Sequence, residues 1–150
     1  MNSYKKKQKE SYSGKQKCHT IKDLVVIDGQ SGEIICVSEA KGSVHDFEMF
    51  KQSGIHLLED ILCVGDKGFQ GICNFHAFSA IPFKKPKGGK LTYEQKAFNN
   101  NLSKYRIRIE HVNRRINCFK MFKYCYRNKQ KKHLMRFSLI CGIYNHELKF

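Results

Sequence analysis

A short apolar run of this chain ends in an acid: Ile61-Leu62-Cys63-Val64-Gly65-Asp66. Such an all-apolar run is typical of a strand that is buried on both faces of a sheet. Because ligands bind in the crevice outside the carboxyl ends of these strands, Asp66 is a candidate site residue. The alternative is an ordinary turn after the strand, formed by residues 66–68.

A second acid lies on a predicted amphipathic helix. Thr92 and Gln95 form a capping box that would begin this helix. Apolar residues then recur at steps of three and four and predict a core-facing stripe: Phe98, Leu102, Tyr105, Ile109, Val112, Ile116 and Phe119. Glu110 lies beside this stripe and is the only acid in a basic segment.

Two interpretations of Glu110 follow. Arg106 and Arg114 lie four residues away on either side, so a surface ladder of weak ion pairs would explain it without a function. Alternatively, Glu110 and Asp66 form a cation site. Mg²⁺ is usually held by one or two carboxylates and by the phosphate oxygens of a substrate, so the pair indicates phosphodiester chemistry.

Composition indicates a polyanionic partner. The chain has 150 residues, which suits a single domain with a core of its own, and its 28 Lys and Arg against 13 acids give a net charge of +15. Twelve basic residues and one acid lie between Lys104 and Arg136. This clustering favours nucleic-acid binding with a steep salt dependence over a merely charged, soluble surface.

The cysteines indicate neither zinc nor disulfides. None forms a Cys-x-x-Cys pair, and several lie in apolar runs, where a thiol acts as a small hydrophobe. We therefore expect reduced, structural thiols in a cytoplasmic protein. No secretory signal and no apolar run long enough to span a bilayer is found, so no membrane partner is expected. The seven are Cys18, Cys36, Cys63, Cys73, Cys118, Cys125 and Cys141.

The first part of the chain predicts a tail and a hairpin. Residues 1–17 are rich in Lys, Ser and Gln and are expected to be a basic flexible tail, with residues 18–150 forming the folded domain. Two β-branched runs, 19–28 and 33–38, flank a turn that contains Asp28-Gly29. Asp28 is assigned to turn chemistry and rejected as a catalytic residue.

The middle of the chain predicts a short helix, a last strand and a lysine-rich loop. Ser43 and Asp46 match a capping box, with Ser43 as the N-cap of a helix through Phe47, Phe50 and Lys51. Residues 79–83 predict a strand. The loop after it is a candidate clamp on a nucleic-acid backbone and carries Lys84, Lys85, Lys87 and Lys90.

A terminal helix is predicted after a basic linker, residues 127–132. Its apolar stripe should pack on the rest of the fold and consists of Leu134, Phe137, Cys141, Tyr144 and Leu148.

Four stretches of the chain resemble the DDE-type transposases of bacterial insertion sequences. They occur in that family's order and are Tyr12-Ser13-Gly14-Lys15-Gln16-Lys17-Cys18-His19-Thr20, Gly42-Ser43-Val44-His45-Asp46, Gly65-Asp66-Lys67-Gly68-Phe69-Gln70-Gly71 and Arg106-Ile107-Arg108-Ile109-Glu110-His111. The resemblance implies an α/β fold with a ribonuclease H-like mixed sheet flanked by helices. It also implies that Asp66 is the second catalytic acid and Glu110 the third, within an Arg-x-x-x-Glu motif.

The resemblance places the first catalytic acid on a first strand, before residue 12. The only acid in residues 1–11 is Glu10, which lies in a lysine-rich run. Residues 18–150 are therefore expected to be a partial catalytic domain that is truncated at the amino terminus and lacks its first strand. In the family that strand lies between the hairpin and the Asp66 strand, so a gap is expected there. The chain departs from the family where a lysine often follows the glutamate by seven residues, because that residue is Asn117 here.

The implied reaction is DNA strand cleavage and transfer with two Mg²⁺ or Mn²⁺ ions, acting on transposon ends and target DNA. We expect the chain alone to be inactive, with activity possible if an upstream fragment or an oligomer supplies the missing acid. The alternative is a non-catalytic basic DNA-binding remnant or a regulator of transposition. Residues expected to support the site or position phosphates are His45, Asp46, Arg106 and Arg114. Residues expected to bind DNA are Lys84, Lys85, Lys87, Lys90, Arg108 and Arg115.

Overall fold

The computed structural model describes residues 21–119 and 132–150, together with the backbone of residues 12–13 and 18–19. Most of the predicted tail and most of the basic linker lie outside the described residues. In order, the elements are β1 (Tyr12–Ser13), β2 (Cys18–His19), β3 (Ile21–Ile27), β4 (Ile34–Lys41), α1 (Asp46–Gln52), β5 (Cys63–Val64), β6 (Ser79–Ala80), α2 (Tyr93–Ile116) and α3 (His133–Glu147). The described strands form three two-stranded sheets, so the chain is a mixed α/β protein.

The predicted hairpin is confirmed. β3 and β4 pair antiparallel, with a register shift between Val26 and Ile27. In the turn, the Asp28 Oδ1 accepts hydrogen bonds from the backbone N–H of Gln30 at 2.9 Å and of Ser31 at 2.5 Å. The bonds from Ser31, followed by that from Gln30, lower the pKa of Asp28. This is the turn role that was predicted for Asp28.

The strand predicted at residues 61–64 is shorter and less buried than expected. β5 is two residues long and pairs in parallel with β6, in a sheet of two strands. Ile61 and Leu62 precede the strand and are 49% and 47% exposed, because no paired strand covers them. β6 is also shorter than the predicted strand 79–83, since Pro82 has no amide hydrogen for a ladder.

The predicted N-cap of α1 was wrong. The helix begins at Asp46 with His45 as its N-cap, and the His45 side chain makes no capping hydrogen bond. Ser43 lies in the preceding turn. The Asp46 carboxylate is instead bound by Lys22 of β3, whose Nζ lies 3.0 Å from Oδ1.

The capping box of α2 is confirmed by both of its hydrogen bonds. The backbone N–H of Gln95 donates to the Thr92 Oγ1 at 3.2 Å, and the backbone N–H of Thr92 donates to the Gln95 Oε1 at 3.1 Å. The predicted apolar stripe of α2 is only partly buried in the core. Leu102, Val112 and Ile116 are buried, whereas Tyr105 is 66% exposed, so the stripe is not continuously covered.

The described residues form two separate apolar cores. The scaffold core joins the hairpin, the second half of α2 and α3, and comprises Ile34, Val112, Ile116, Phe137, Ile140, Cys141 and Tyr144. The site-side core lies between β3, α1 and the segment after β5, and comprises Leu24, Met49, Phe50 and Ile72. α3 therefore packs on the fold as predicted, with Phe137, Cys141 and Tyr144 buried, while Leu148 lies just beyond the helix and is exposed.

An acidic pair and a buried histidine join α3 to the hairpin. Asp23 and Glu39 face each other across β3 and β4. The His133 Nδ1 lies 3.0 Å from the Glu39 Oε2 and 3.5 Å from the Asp23 Oδ1, with the histidine side chain 4% exposed. Burial raises the pKa of Asp23 to about 6.

The described cysteines are free thiols. Burial raises the pKa of Cys141 to about 11 and also raises that of Cys63. These two thiols therefore stay protonated near neutral pH, in keeping with the predicted structural role. No helix in the described ranges is both long and apolar enough to cross a membrane.

Candidate active site

Asp66 lies in a turn directly after β5. The backbone N–H of Gly65 donates to the Ala80 carbonyl at 3.0 Å, so the ladder with β6 continues to the residue before the acid. Asp66 is the N-cap of a short 3₁₀ helix, Lys67–Phe69, and its Oδ1 accepts a hydrogen bond from the Lys67 N–H at 2.5 Å. Asp66 therefore makes the turn contact that the alternative interpretation predicted. We call residues 65–69 the Asp66 turn.

The Asp66 turn is closely packed against the site-side core. Phe69 contacts Phe50 of α1 edge-on, with ring centroids 6.4 Å apart. A Cβ added at Gly65 would lie 3.3 Å from side-chain atoms of both Ile81 and Phe69, closer than most real contacts. Glycine at residue 65 therefore lets the turn approach the site-side core.

Arg106 of α2 binds Asp66 directly. The Arg106 Nη2 lies 3.2 Å from the Asp66 Oδ1, and the two side chains are 27% and 56% exposed. The ion-pair ladder considered around Glu110 is not what the structure shows. Arg106 is paired with the strand-end acid, and no ion pair among the described residues includes Glu110.

Glu110 lies on the face of α2 that carries Arg106. Four residues along an α-helix correspond to about 6 Å along the axis and about 40° around it. Glu110 is therefore one turn beyond the arginine that contacts Asp66, and Arg114 is one turn further on the same side. Both side chains are exposed.

Arg108 and Arg115 lie on the opposite side of α2. The Arg108 Nη1 donates a hydrogen bond to the Gln30 carbonyl in the hairpin turn. The Arg115 Nη2 lies 3.0 Å from the Glu147 Oε2, and its guanidinium lies 5.3 Å from the centre of the Tyr144 ring. The structure does not bring these two arginines to Asp66, and their contacts within the chain account for their positions.

The lysine-rich loop begins on the Arg106 side of α2. The backbone N–H of Phe83 donates to the Asn99 Oδ1 at 2.8 Å, and the Asn99 Nδ2 donates to the Phe83 carbonyl at 3.1 Å. Asn99 is seven residues before Arg106, which is about two helical turns along the same face. The loop lysines are all exposed: Lys84, Lys85, Lys87 and Lys90.

The start of α1 also reaches the Asp66 turn. The Asp46 carboxylate contacts Gly68 so closely that an added Cβ would overlap Oδ2 and lie 3.1 Å from Cγ. His45 is exposed at the N-cap. Sequence reasoning identified Asp46 but missed Lys22, because nothing in the local pattern of β3 distinguishes this lysine from an ordinary solvent-facing one.

The predicted cation site consists of two carboxylates, those of Asp66 and Glu110. No group of three or more His, Cys, Asp or Glu side chains within the described residues is arranged to hold a metal ion. Asp66 and Glu110 supply hard oxygen donors at exposed positions. Mg²⁺ binds in this way when water and substrate phosphates complete its coordination shell.

Comparison with known proteins agrees with the resemblance of the four stretches. Residues 1–145 match the family described as DDE superfamily endonuclease. A probable transposase for insertion sequence element IS702 from Microchaete diplosiphon is 46% identical over 144 residues, which cover 96% of this chain and 52% of that protein. The chain thus spans about half the length of this curated relative. No solved structure matches it. The chain belongs to the DDE superfamily endonuclease family.

Proposed function

We propose that this chain is part of the catalytic domain of a DDE transposase and contributes Asp66 and Glu110 to DNA strand cleavage and transfer. One observation carries the proposal. The acid at the end of β5 is bound by Arg106, on the face of α2 that also carries Glu110 one turn away. The contact brings Asp66 to the helix that carries Glu110, which supports a cation site shared by the two acids.

Each of these side chains has a separate task. Asp66 and Glu110 would hold Mg²⁺ or Mn²⁺, and the bound cation would stabilise the attacking and leaving oxygens of the phosphodiester. Arg106 balances the charge of Asp66 when no cation is bound. The Lys67 N–H orients the Asp66 carboxylate through its 2.5 Å hydrogen bond.

The lysine-rich loop is proposed to hold the DNA backbone. It follows β6, whereas Asp66 follows β5, and these strands are parallel. Segments that leave the carboxyl ends of parallel strands emerge at the same edge of the sheet. Lys84, Lys85, Lys87 and Lys90 would therefore contact phosphates near Asp66, with Arg114 on the same side of α2. Arg108 and Arg115 would contact DNA only on another surface.

We further propose that the chain does not cut DNA by itself, because two acids are fewer than the three that its family uses. A ribonuclease H-like sheet would be completed by a strand from another segment or polypeptide, placed between β3 and β5. The separation of the β3–β4 sheet from the β5–β6 sheet supports this arrangement. Such an assembly would act on DNA in the cytoplasm.

A complementation assay tests this function. The purified chain is mixed with transposon-end DNA and Mn²⁺, with or without the portion of the IS702 transposase that this chain does not cover. We expect nicking only in the mixture, and its loss in Asp66→Asn or Glu110→Gln but not in the control Asp60→Asn. DNA binding without nicking in every mixture would favour the non-catalytic remnant or regulator instead.

A further inference from the structure

A lysine and an aspartate outside the proposed cation site connect three elements at the Asp66 turn. Lys22 belongs to β3, Asp46 begins α1, and Gly68 lies within the turn itself. The Lys22 Nζ donates to the Val44 carbonyl at 2.9 Å and to the Asp46 Oδ1 at 3.0 Å. The second carboxylate oxygen, Oδ2, lies against Gly68. The carboxylate therefore bridges a lysine on one side and the turn on the other.

The general preference for acids at the start of a helix does not explain the orientation of the Asp46 carboxylate. An acid in the first turn of a helix is favoured by the partial positive charge of the helix terminus, which explains an aspartate at this residue but not its orientation. Glu48 occupies the same first turn, and its carboxylate is bound by Lys51 on the surface of the helix. Only Asp46 of these two acids is directed towards the turn.

We propose that Lys22 and Asp46 are a positioning pair for Asp66. Lys22 fixes the orientation of the Asp46 carboxylate, and the carboxylate fixes Gly68, two residues after Asp66. Asp66 is then held where Arg106 reaches it from α2. The inference rests on the proposed function of Asp66, but the contacts that it uses are independent of any bound cation.

Glycine at residue 68 follows from this arrangement. An added Cβ would occupy the space of the Asp46 carboxylate. Gly68→Ala should therefore displace either the carboxylate or the turn, while removal of the carboxylate should make room for the methyl group. The two substitutions are expected to be strongly non-additive, as contacting residues are.

The test uses two readouts on the full chain, recorded by amide NMR. The first, without metal, is the exchange rate of the Lys67 N–H, which reports its bond to Asp66. The second is the apparent affinity for Mn²⁺, from the paramagnetic broadening of the same signal. We expect Asp46→Ala and Lys22→Met to speed up exchange and to weaken Mn²⁺ binding about tenfold, as loss of a supporting contact does. Asp46→Asn, which keeps the shape of the side chain, should recover part of the loss.

Matched controls separate positioning from general damage. Lys51→Met removes a lysine from the other acid of α1, and Gly29→Ala adds a methyl group where nothing lies within 4 Å. Both should leave the two readouts unchanged. Gly68→Ala should impair them, and adding Asp46→Ala to it should make them no worse. If Gly68→Ala does not fold, Asp46→Ala and Lys22→Met alone test whether Lys22 and Asp46 position Asp66.

The outcomes distinguish this inference from the proposed function. Unchanged Lys67 exchange in both Asp46→Ala and Lys22→Met would overturn the positioning pair, whatever the metal data show. Purely additive effects of Gly68→Ala and Asp46→Ala would also overturn it. Absence of Mn²⁺ broadening at Lys67 in the wild-type chain would instead count against the cation site, while the exchange data still tested the pair.

Discussion

The scaffold end and the site end of this molecule are built differently. At the scaffold end, strands of seven and eight residues form a hairpin against α2 and α3. Asn145 of α3 extends this contact, since its Oδ1 accepts from the Ile34 N–H and its Nδ2 donates to the Ile34 carbonyl, both at 2.8 Å. At the site end, β5 and β6 have two residues each.

Exposed apolar side chains occur at both ends, and at the scaffold end they include Ile35, Met135 and Leu139. Phe75, Phe78 and Phe83, all in the segment after β5, are each about half exposed. The site end depends on contacts between turns and helix ends, such as those of Asp66 with Arg106 and of Asp46 with Gly68. The comparison indicates a scaffold held by a buried core and a site whose geometry depends on single side-chain contacts.

The largest expected effect is on the scaffold core. Phe137 is 2% exposed, and Phe137→Ala should lower the free energy of unfolding by about 3–5 kcal/mol through lost burial and a cavity. Urea denaturation followed by circular dichroism measures this change. Phe78→Ala, at an exposed phenylalanine of the site end, is the control and should cost less than about 1 kcal/mol. Equal costs would contradict the division into two ends.

A second expectation concerns pH and the buried acid of the scaffold end. Burial raises the pKa of Asp23 from 3.8 to about 6, with His133 opposing and Glu39 adding to the shift. The folded state thus binds this proton more tightly than the unfolded state. The resulting stabilisation is complete below about pH 4 and is lost as the pH rises through about 6.

Asp23→Asn should remove this titration. Its free energy of unfolding, relative to wild type, should therefore rise between pH 4 and pH 7 by on the order of 2 kcal/mol, measured by urea denaturation at each pH. Asp28→Asn is the control with the opposite sign. Hydrogen bonds lower the pKa of Asp28, so its stabilisation is present at neutral pH and lost on acidification. A pH-independent difference for Asp23→Asn would show that its carboxylate is not penalised by burial.

Local patterns predicted the parts of the fold that neighbours in sequence determine. The Asp28 turn and the Thr92–Gln95 capping box depend on residues two or three apart, and both were predicted correctly. The Ser43 cap was wrong, because the helix begins at Asp46 with His45 as its N-cap. Likewise, the exposure of Ile61 could not be predicted, since periodicity does not show how many strands flank a run.

Contacts between segments that are distant in sequence could not be predicted from sequence patterns either. The spacing of Arg106 and Glu110 suggested an ion pair within α2, whereas Arg106 contacts Asp66, 40 residues earlier. The family resemblance predicted that both acids are site residues, and their local spacing alone did not require it. It gave no indication of Lys22, whose role follows only from the packing of β3 against α1.

The smallest expected effect separates the two basic surfaces. Replacing Lys84, Lys85, Lys87 and Lys90 by Gln should weaken duplex DNA binding and reduce the slope of log affinity against log salt by up to about 3.6, since each lost phosphate contact contributes about 0.9. Arg108→Gln together with Arg115→Gln should change the slope less, because both side chains have partners within the chain. Fluorescence anisotropy at several salt concentrations measures both slopes. A larger change for the arginines would place the DNA on the scaffold side.

Paramagnetic broadening by Mn²⁺ tests most directly whether Asp66 and Glu110 share a cation site. The backbone amide signals of Lys67 and Glu110 are followed while Mn²⁺ is added to the wild-type chain, to Asp66→Asn and to the control Asp60→Asn. We predict that both signals broaden over the same Mn²⁺ range in wild type and in Asp60→Asn, and that both effects are lost together in Asp66→Asn. Broadening of Glu110 that persists in Asp66→Asn, or of Lys67 alone, would contradict a shared site.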